Sequence, residues 1–369
     1  MPYPYFDRFK IKFKPLSQRK DKVYIEKDAV YPIDKPKTQL NDLSKKILSQ
    51  TIERLIIAKE KNRSRMLVFG AHSIKNGLSP VIMWLIENKW ITHLATNGAG
   101  IIHDWEFSYQ GHSSEDVRTN VSRGEFGIWQ ETGFFLNLSL VVGAFEGKGY
   151  GESVGSFVEN EGLYIPSKEE LLNKINENLE NNPELCSAIC DLLQKINEFS
   201  IKNGFLSVKH PYKKFGLQAC AFRQQIPFTA HPMIGHDIIY THPMNCCSAI
   251  GKTAQRDFLT FANSVSNLED GVYMSIGSAV MSPMVFEKSL SMSQNIAIQN
   301  GKPISNHFIV VVDLQESKWD WSQGEPPMDR PEYYLRFNKS FARMGGTFHY
   351  LTMDNRDFLL YLVQELMKI

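Results

Sequence analysis

Apolar residues in this chain fall into short runs separated by amphipathic stretches. Strand-length runs occur at Arg65–Gly70 (RMLVFG), Ile91–Thr96 (ITHLAT), Ile226–Thr229, Asp237–Thr241, Gly271–Ile276, His307–Asp313 and Thr347–Thr352. Near-continuous apolar runs of this length are typical of strands buried on both faces, as in parallel sheets. Helical periodicity lies between them. Residues 38–60 place Leu40, Leu43, Ile47, Leu55 and Ile56 mainly on one face. Leu78–Asn88 carries Pro80 near its first turn, where a missing N–H costs little. Thr253–Val265, Pro283–Gln299 and Asp354–Lys368 also predict helices. The alternation predicts an α/β fold: a doubly wound, mostly parallel, Rossmann-like sheet with helices on both faces.

The segment at about 105–215 reads as a helical insertion. Ser113–Val121 opens with hydroxyls and acids, as a helix N-terminus should. Phe134–Phe145 is apolar and leads into a glycine-rich turn at Gly147, Gly149, Gly151 and Gly155. Ser167-x-x-Glu170 is a capping box for a helix running to about Asn181, and Pro183 begins another to about Asn203. Residues 1–36 are rich in Pro, Lys and Tyr without a period. They read as an N-terminal arm ahead of a single domain at 37–369.

Composition narrows the class. Apolar residues make up 43% of the 369 and charged residues 22%, which excludes a mainly disordered chain. Lys+Arg 41 against Asp+Glu 40 leaves +1, so bulk charge points to neither nucleic acid nor an anionic membrane. No apolar run approaches the roughly 18 residues of a membrane span. The N-terminus lacks the apolar block of a secretory signal. Five cysteines with a vicinal pair, Cys246-Cys247, suggest reduced thiols and a cytoplasmic protein.

Ligands of open parallel sheets sit beyond the carboxyl ends of the strands. The residues there are Ala71-His72-Ser73-Ile74-Lys75-Asn76-Gly77, then Asn97-Gly98-Ala99-Gly100 with His103-Asp104, then His231 through Asp237 and His242, then Gly277-Ser278-Ala279, Asp313 and Asp354-Asn355. Glycines there let a backbone approach a phosphate-bearing ligand, and the polar side chains can bind it. The Gly-x-Gly at 98–100 is not the six-residue dinucleotide fingerprint, and a plain strand–helix turn remains an equal reading. The loop Gly124–Gly133 reads as either a cleft lining or a connector. His231, His236, Asp237 and His242 cluster in sequence, but their spacing matches no common zinc pattern. Substrate hydrogen bonding, proton transfer or a satisfied structural imidazole are the alternatives.

These residues resemble deoxyhypusine synthase. Ala71–Asp104 matches it through the turn ending at Gly77, the second strand, Thr96-Asn97-Gly98-Ala99-Gly100 and Asp104. Further matches are Ile226-Pro227 through His242, Gly271–Val280, and Arg330-Pro331-Glu332 through Lys339. The order Gly-Ala-Gly departs from the family's usual Ala-Gly-Gly. Pro326 and Tyr333 stand where the family's polyamine-holding acids would fall, which counts against spermidine as substrate.

The resemblance implies a Rossmann-like NAD-binding fold, in a homotetramer or homodimer with sites near subunit contacts. It implies an NAD-dependent enzyme, of transferase or oxidoreductase type, acting on a small amine- or hydroxyl-bearing substrate. The dinucleotide would be held by Ala71, His72, Thr96, Asn97, Gly98, Ala99, Gly100, Asp104, Gly277, Ser278, Asp313 and Asp354. His231, His236 and Asp237 would contact substrate, His242 would orient it or move a proton, and Lys339, if buried, would be the covalent relay. Two other classes stay open: a metal-dependent hydrolase or isomerase using His231, His236 and His242, and a non-catalytic nucleotide-binding protein.

Overall fold

The computed structural model describes residues 3–369. Its centre is a six-stranded parallel sheet. Within that sheet, and in chain order, the strands are β1 (Arg65–Phe69), β2 (His93–Thr96), β3 (Phe228–Ala230), β4 (Val272–Ile276), β5 (Phe308–Asp313) and β6 (Thr347–Thr352). Their spatial order is β3-β2-β1-β4-β5-β6. The chain winds outward in one direction from β1, then returns to β1's other side and winds the opposite way. This is the doubly wound Rossmann order, and its topological switch lies between β1 and β4.

Burial on both faces explains the apolar runs. All five residues of β1 and all five of β4 are buried. Met66, Val68, Tyr273, Ile309, Val311 and Phe348 pack on one face with Phe261, Phe286, Leu290 and Phe341. Phe261, Phe286 and Phe341 come from the helices Cys247–Ser266, Met281–Gln299 and Arg336–Ala342. The alternate residues Leu67, Phe69, Met274 and Val310 are fully buried toward the opposite face. The helices Asp42–Glu60 and Asn355–Leu366 contact the sheet and each other. Asn41 caps the first of them through its side chain, and Asp354 caps the second.

The chain divides into two contact units, where one domain with an arm and an insertion is the expectation from sequence. The parallel sheet belongs to the unit made of Asp28–Gly100, Cys220–His231 and Asp257–Ile369. The other unit comprises the N-terminal residues up to Lys27, Ile101–Ala219 and Pro232–Arg256. Its buried helix Gln130–Phe145 contacts Tyr150–Asn160 and Pro183–Phe199. Part of the arm is built into this unit. Asp21–Tyr24 pairs antiparallel with His112–Glu115. The guanidinium of Arg19 makes two bonds to Glu106, at 2.7 and 2.6 Å, and both side chains are almost fully buried. Removing one member of such a pair leaves a buried charge uncompensated, at a cost of about 3–5 kcal/mol.

Three segments differ from the sequence expectation. Ser113 lies in the strand His112–Glu115, and the helix starts only at Val117, capped by Asp116. Pairing with Asp21–Tyr24 takes the hydroxyl-rich stretch that reads as a helix start. The run expected as a strand at Asp237–Thr241 holds a 3-10 helix, Ile238–Thr241, instead. Its apolar run is short and enclosed by Gly235 at φ +85° and Pro243, and the Ile239 carbonyl is taken by Asn137 at 2.9 Å. Gly151 and Gly155 fall inside the helix Tyr150–Asn160 instead of a turn. Small residues serve close packing there: a Cβ on Gly143 would stand 1.9 Å from Ser153 Oγ. No helix of the described residues is long and apolar enough to cross a membrane.

Candidate functional site

The register of the sheet brings four of the expected residues together. Arg65 pairs with Val272 and Phe69 with Ile276, so Gly70 and Gly277 follow side by side at the switch. The Gly70 N–H donates to Ile276 O at 3.2 Å, and the Gly277 N–H to Val312 O at 2.8 Å. Asp313 pairs with Thr352, and its carbonyl accepts the Met353 N–H, which sets Asp354 just beyond the same edge. The result is a cleft of about 230 Å³ lined by His72, Asn76, Gly277, Asp313, Leu314, Asp354 and Asn355.

Glycine suits this edge of the cleft. Gly277 has φ +58°, a left-handed conformation, and a Cβ on it would meet Asn355 Nδ2 at 2.3 Å. Each carboxylate is anchored through one oxygen: Asp313 Oδ1 accepts the Gln315 N–H at 3.1 Å and Asp354 Oδ1 the Arg356 N–H at 2.8 Å. Among the described residues the second oxygen of each has no hydrogen-bond partner. Two carboxylates that accept hydrogen bonds, with two amides and an imidazole that can donate or accept them, form a set that suits the hydroxyls of a ribose diol or the N–H groups of an amine. A carboxylate at the end of a strand is also how dinucleotide-binding sheets hold ribose hydroxyls.

The turn at 96–100 does not line this cleft. Thr96 is fully buried and its hydroxyl donates to Phe69 O at 2.9 Å, tying β2 to β1. Gly100 is small because a Cβ there would stand 2.3 Å from Thr96 Oγ1. Asn97 Oδ1 accepts the Gly100 N–H and so caps the helix Gly98–Gln110, which contains Gly98 and Ala99. Asp104 is fully buried and accepts the N–H groups of Leu217 and Gln218 and the Gln218 side-chain amide. Burial pushes its carboxyl up to about 6 against those donors. Its oxygens are spent on starting the helix Leu217–Arg223, a structural role that sequence position alone does not show. Ser278 Oγ accepts the Ser282 N–H, and Ala71 begins the short helix Ala71–Lys75.

The histidines take separate positions. His231 Nε2 lies 3.1 Å from Thr229 Oγ1, which is also 3.0 Å from His93 Nε2, while His93 Nδ1 reaches Ser264 Oγ at 2.8 Å. Burial, and for His93 also the neighbouring His231, holds both imidazoles down to about 3. His242 packs among Phe13, Phe134 and Phe199. Its Nδ1 accepts the Met244 N–H at 3.0 Å, so the proton sits on Nε2, facing Gln130 Oε1 at 3.3 Å. Burial and the charges of Arg8 and Lys195 hold it down to about 4. His236 is exposed, whereas Asp237 Oδ2 and the Tyr240 hydroxyl are buried without a partner among the described residues. Burial raises Asp237 to about 6.

Among the described residues no three His, Cys, Asp or Glu side chains form a group that could hold a metal ion. His231 Nε2 is engaged by Thr229 and His242 Nδ1 by Met244.

Lys339 is largely covered. Its ammonium lies 3.6 Å from the Tyr333 ring centroid and 3.8 Å from Glu325, which also binds Arg343. Tyr333, which stands where the resemblance would place a polyamine-holding acid, offers its π face to this lysine. Lys339 is not among the walls of the cleft. Asn76 and Asn355 line it; both are among the strand-end residues but outside the set that the resemblance assigns to the dinucleotide, and Leu314 follows Asp313 directly.

No family model matches the chain, and no curated protein does. Solved structures match at low identity. A chain described as a LOR/SDH protein from Methanococcus maripaludis S2 is 13% identical, with a TM-score of 0.40 over 92% of this chain and 74% of its own. AgrE, in a ternary complex with ornithine and NAD+, is 15% identical with a TM-score of 0.40 over 87% of this chain, which spans only 33% of AgrE. A chain described as a deoxyhypusine synthase from Entamoeba histolytica is 10% identical with a TM-score of 0.35, over 88% and 89%. Distant as they are, these matches assign neither a ligand nor a reaction to this chain.

Proposed function

We propose that the parallel-sheet unit binds NAD and that the protein is an NAD-dependent enzyme acting on a small amine- or hydroxyl-bearing substrate. The observation that carries this reading is the doubly wound strand order, with Asp313 and Asp354 meeting in a cleft beyond the carboxyl ends of β4, β5 and β6, next to the switch at Gly70 and Gly277. The group fits through its hydroxyl-rich part. The free oxygens of Asp313 and Asp354 would accept ribose hydroxyls, Asn76 and Asn355 would donate to the ligand, and Gly277 leaves room for it. Bound NAD would supply a hydride acceptor for oxidising a C–OH or C–NH2 carbon. This chain's residues would orient the ribose and exclude water from it. The exposed aromatics Tyr3, Tyr5, Phe6 and Phe9 support self-association, since clustered apolar surface of this kind commonly meets a partner.

Native mass spectrometry of the purified protein, followed by denaturing extraction, tests the assignment. A mass increment released as NAD or NADH is the expected result. A different released nucleotide, or metal in place of any nucleotide, would replace it. The same spectra report the assembly: a dimer or tetramer is expected, and a species at 42.3 kDa alone at micromolar concentration would remove self-association.

A further inference from the structure

The sheet unit carries a second, larger cleft of about 470 Å³, walled by β6, the helix Asp42–Glu60 and the loop at 317–322. No residue lines both clefts. Four aromatic side chains line it: Trp319 and Tyr350 are half-buried, and Trp321 and Phe348 are buried in the core. The loop carrying the two indoles is fixed from within. Trp319 Nε1 donates to Gly324 O at 2.9 Å and Trp321 Nε1 to Ser317 Oγ at 2.8 Å. The Asp320 carboxylate accepts from the Ser322 N–H and hydroxyl and from the Gln323 amide. The Tyr350 hydroxyl donates to Gln315 O. The aromatic wall is thus held in place without a ligand.

Polar groups in the same walls lack partners. Gln50 Oε1 and His349 Nε2 are both buried, and neither forms a hydrogen bond among the described residues. Buried polar atoms are nearly always satisfied in folded proteins, by protein, water or ligand. Lys46 and Lys318 add two positive charges at the rim, and neither has an ion-pair partner among the described residues. Asp320 offsets part of this charge, but its oxygens are occupied by its own loop.

We propose that this cleft binds a purine nucleotide, with the base against the aromatic wall, its edge hydrogen-bonded by Gln50 and His349, and its phosphate at Lys46 and Lys318. Flat π surfaces accept a base by stacking, a fixed amide and imidazole read its edge, and ammonium groups bind phosphate as point charges. The size suits a small-molecule site. The proposal does not depend on NAD occupying the first cleft.

Isothermal calorimetry with AMP as the probe tests it on the full-length protein. Wild type and Asp313→Ala are expected to bind AMP equally, because Asp313 belongs to the other cleft. The double variant Lys46→Glu/Lys318→Glu changes only surface charge and is expected to bind about tenfold or more weakly. Adenosine, lacking the phosphate, is expected to bind wild type and the double variant alike. Absence of AMP binding at millimolar concentration would overturn the proposal. So would binding unchanged by the double variant, or binding lost in Asp313→Ala but kept in the double variant, which would place AMP in the first cleft.

Discussion

A Cβ added to Gly70 would stand 2.2 Å from the carbonyl oxygen of Gly277. The two glycines end β1 and β4, the strands between which the winding reverses, and their backbones touch where a ligand-binding sheet opens. Gly70 has φ −83°, a conformation any residue adopts, so its need for glycine is purely steric. Gly70→Ala is therefore expected to cost about 2 kcal/mol or more by forcing the two strand ends apart. Gly124→Ala is the contrasting control: φ is +66° and nothing lies within 4 Å, so only backbone strain of about 1 kcal/mol is expected. Urea denaturation of both variants separates the two costs.

The pair His93 and His231, bridged by Thr229, makes stability depend on pH in a definite direction. Burial lowers both pKa values from 6.5 to about 3. The native imidazoles stay neutral while those of the unfolded chain take up protons below 6.5, so stability is undiminished above that pH and falls as pH drops toward 3. Between pH 7 and 5 the loss should be about 2 kcal/mol for each imidazole. Equilibrium denaturation across that range measures it, and His231→Gln should shrink the slope. Thr229→Val leaves two buried imidazole nitrogens without their shared partner and should cost about 1–3 kcal/mol at pH 7.

Lys339 makes a sharper chemical statement. Its Nζ lies over the Tyr333 ring and 3.8 Å from Glu325, and Lys339 lines neither cleft of the sheet unit. Borohydride treatment in the presence of NAD and an amine substrate should leave Lys339 unlabelled in peptide maps. Lys339→Gln should reduce stability by about 0.5–1 kcal/mol through loss of the cation–π contact and leave NAD affinity unchanged. A reduced adduct on Lys339 would restore the covalent role that the resemblance implies.

The parallel sheet was legible because its strands are buried on both faces and so write unbroken apolar runs. All six lie within the expected runs or within a residue or two of them. Strand-end position also drew His72, Gly277, Asp313 and Asp354 into one list, and the register gathers these four in one cleft. What was not legible depends on tertiary partners. Asp104 reads as a ligand until Leu217 and Gln218 are found on its oxygens. His112–Glu115 becomes a strand only because Asp21–Tyr24 returns to pair with it. Ile238–Thr241 has the composition of a strand but no neighbouring strand with which to pair.

The central claim is that the carboxylate pair at the ends of β5 and β6 belongs to a dinucleotide site. Calorimetric titration of NAD into wild type and Asp313→Ala tests it most directly. Asp313 makes a single bond to the backbone of its own turn, so its loss should leave the fold intact. Wild type should bind NAD, and Asp313→Ala should bind it about tenfold or more weakly, having lost a charged acceptor for a ribose hydroxyl. Wild-type protein that binds neither NAD nor NADH at millimolar concentration, or equal affinity in the two proteins, would contradict the account.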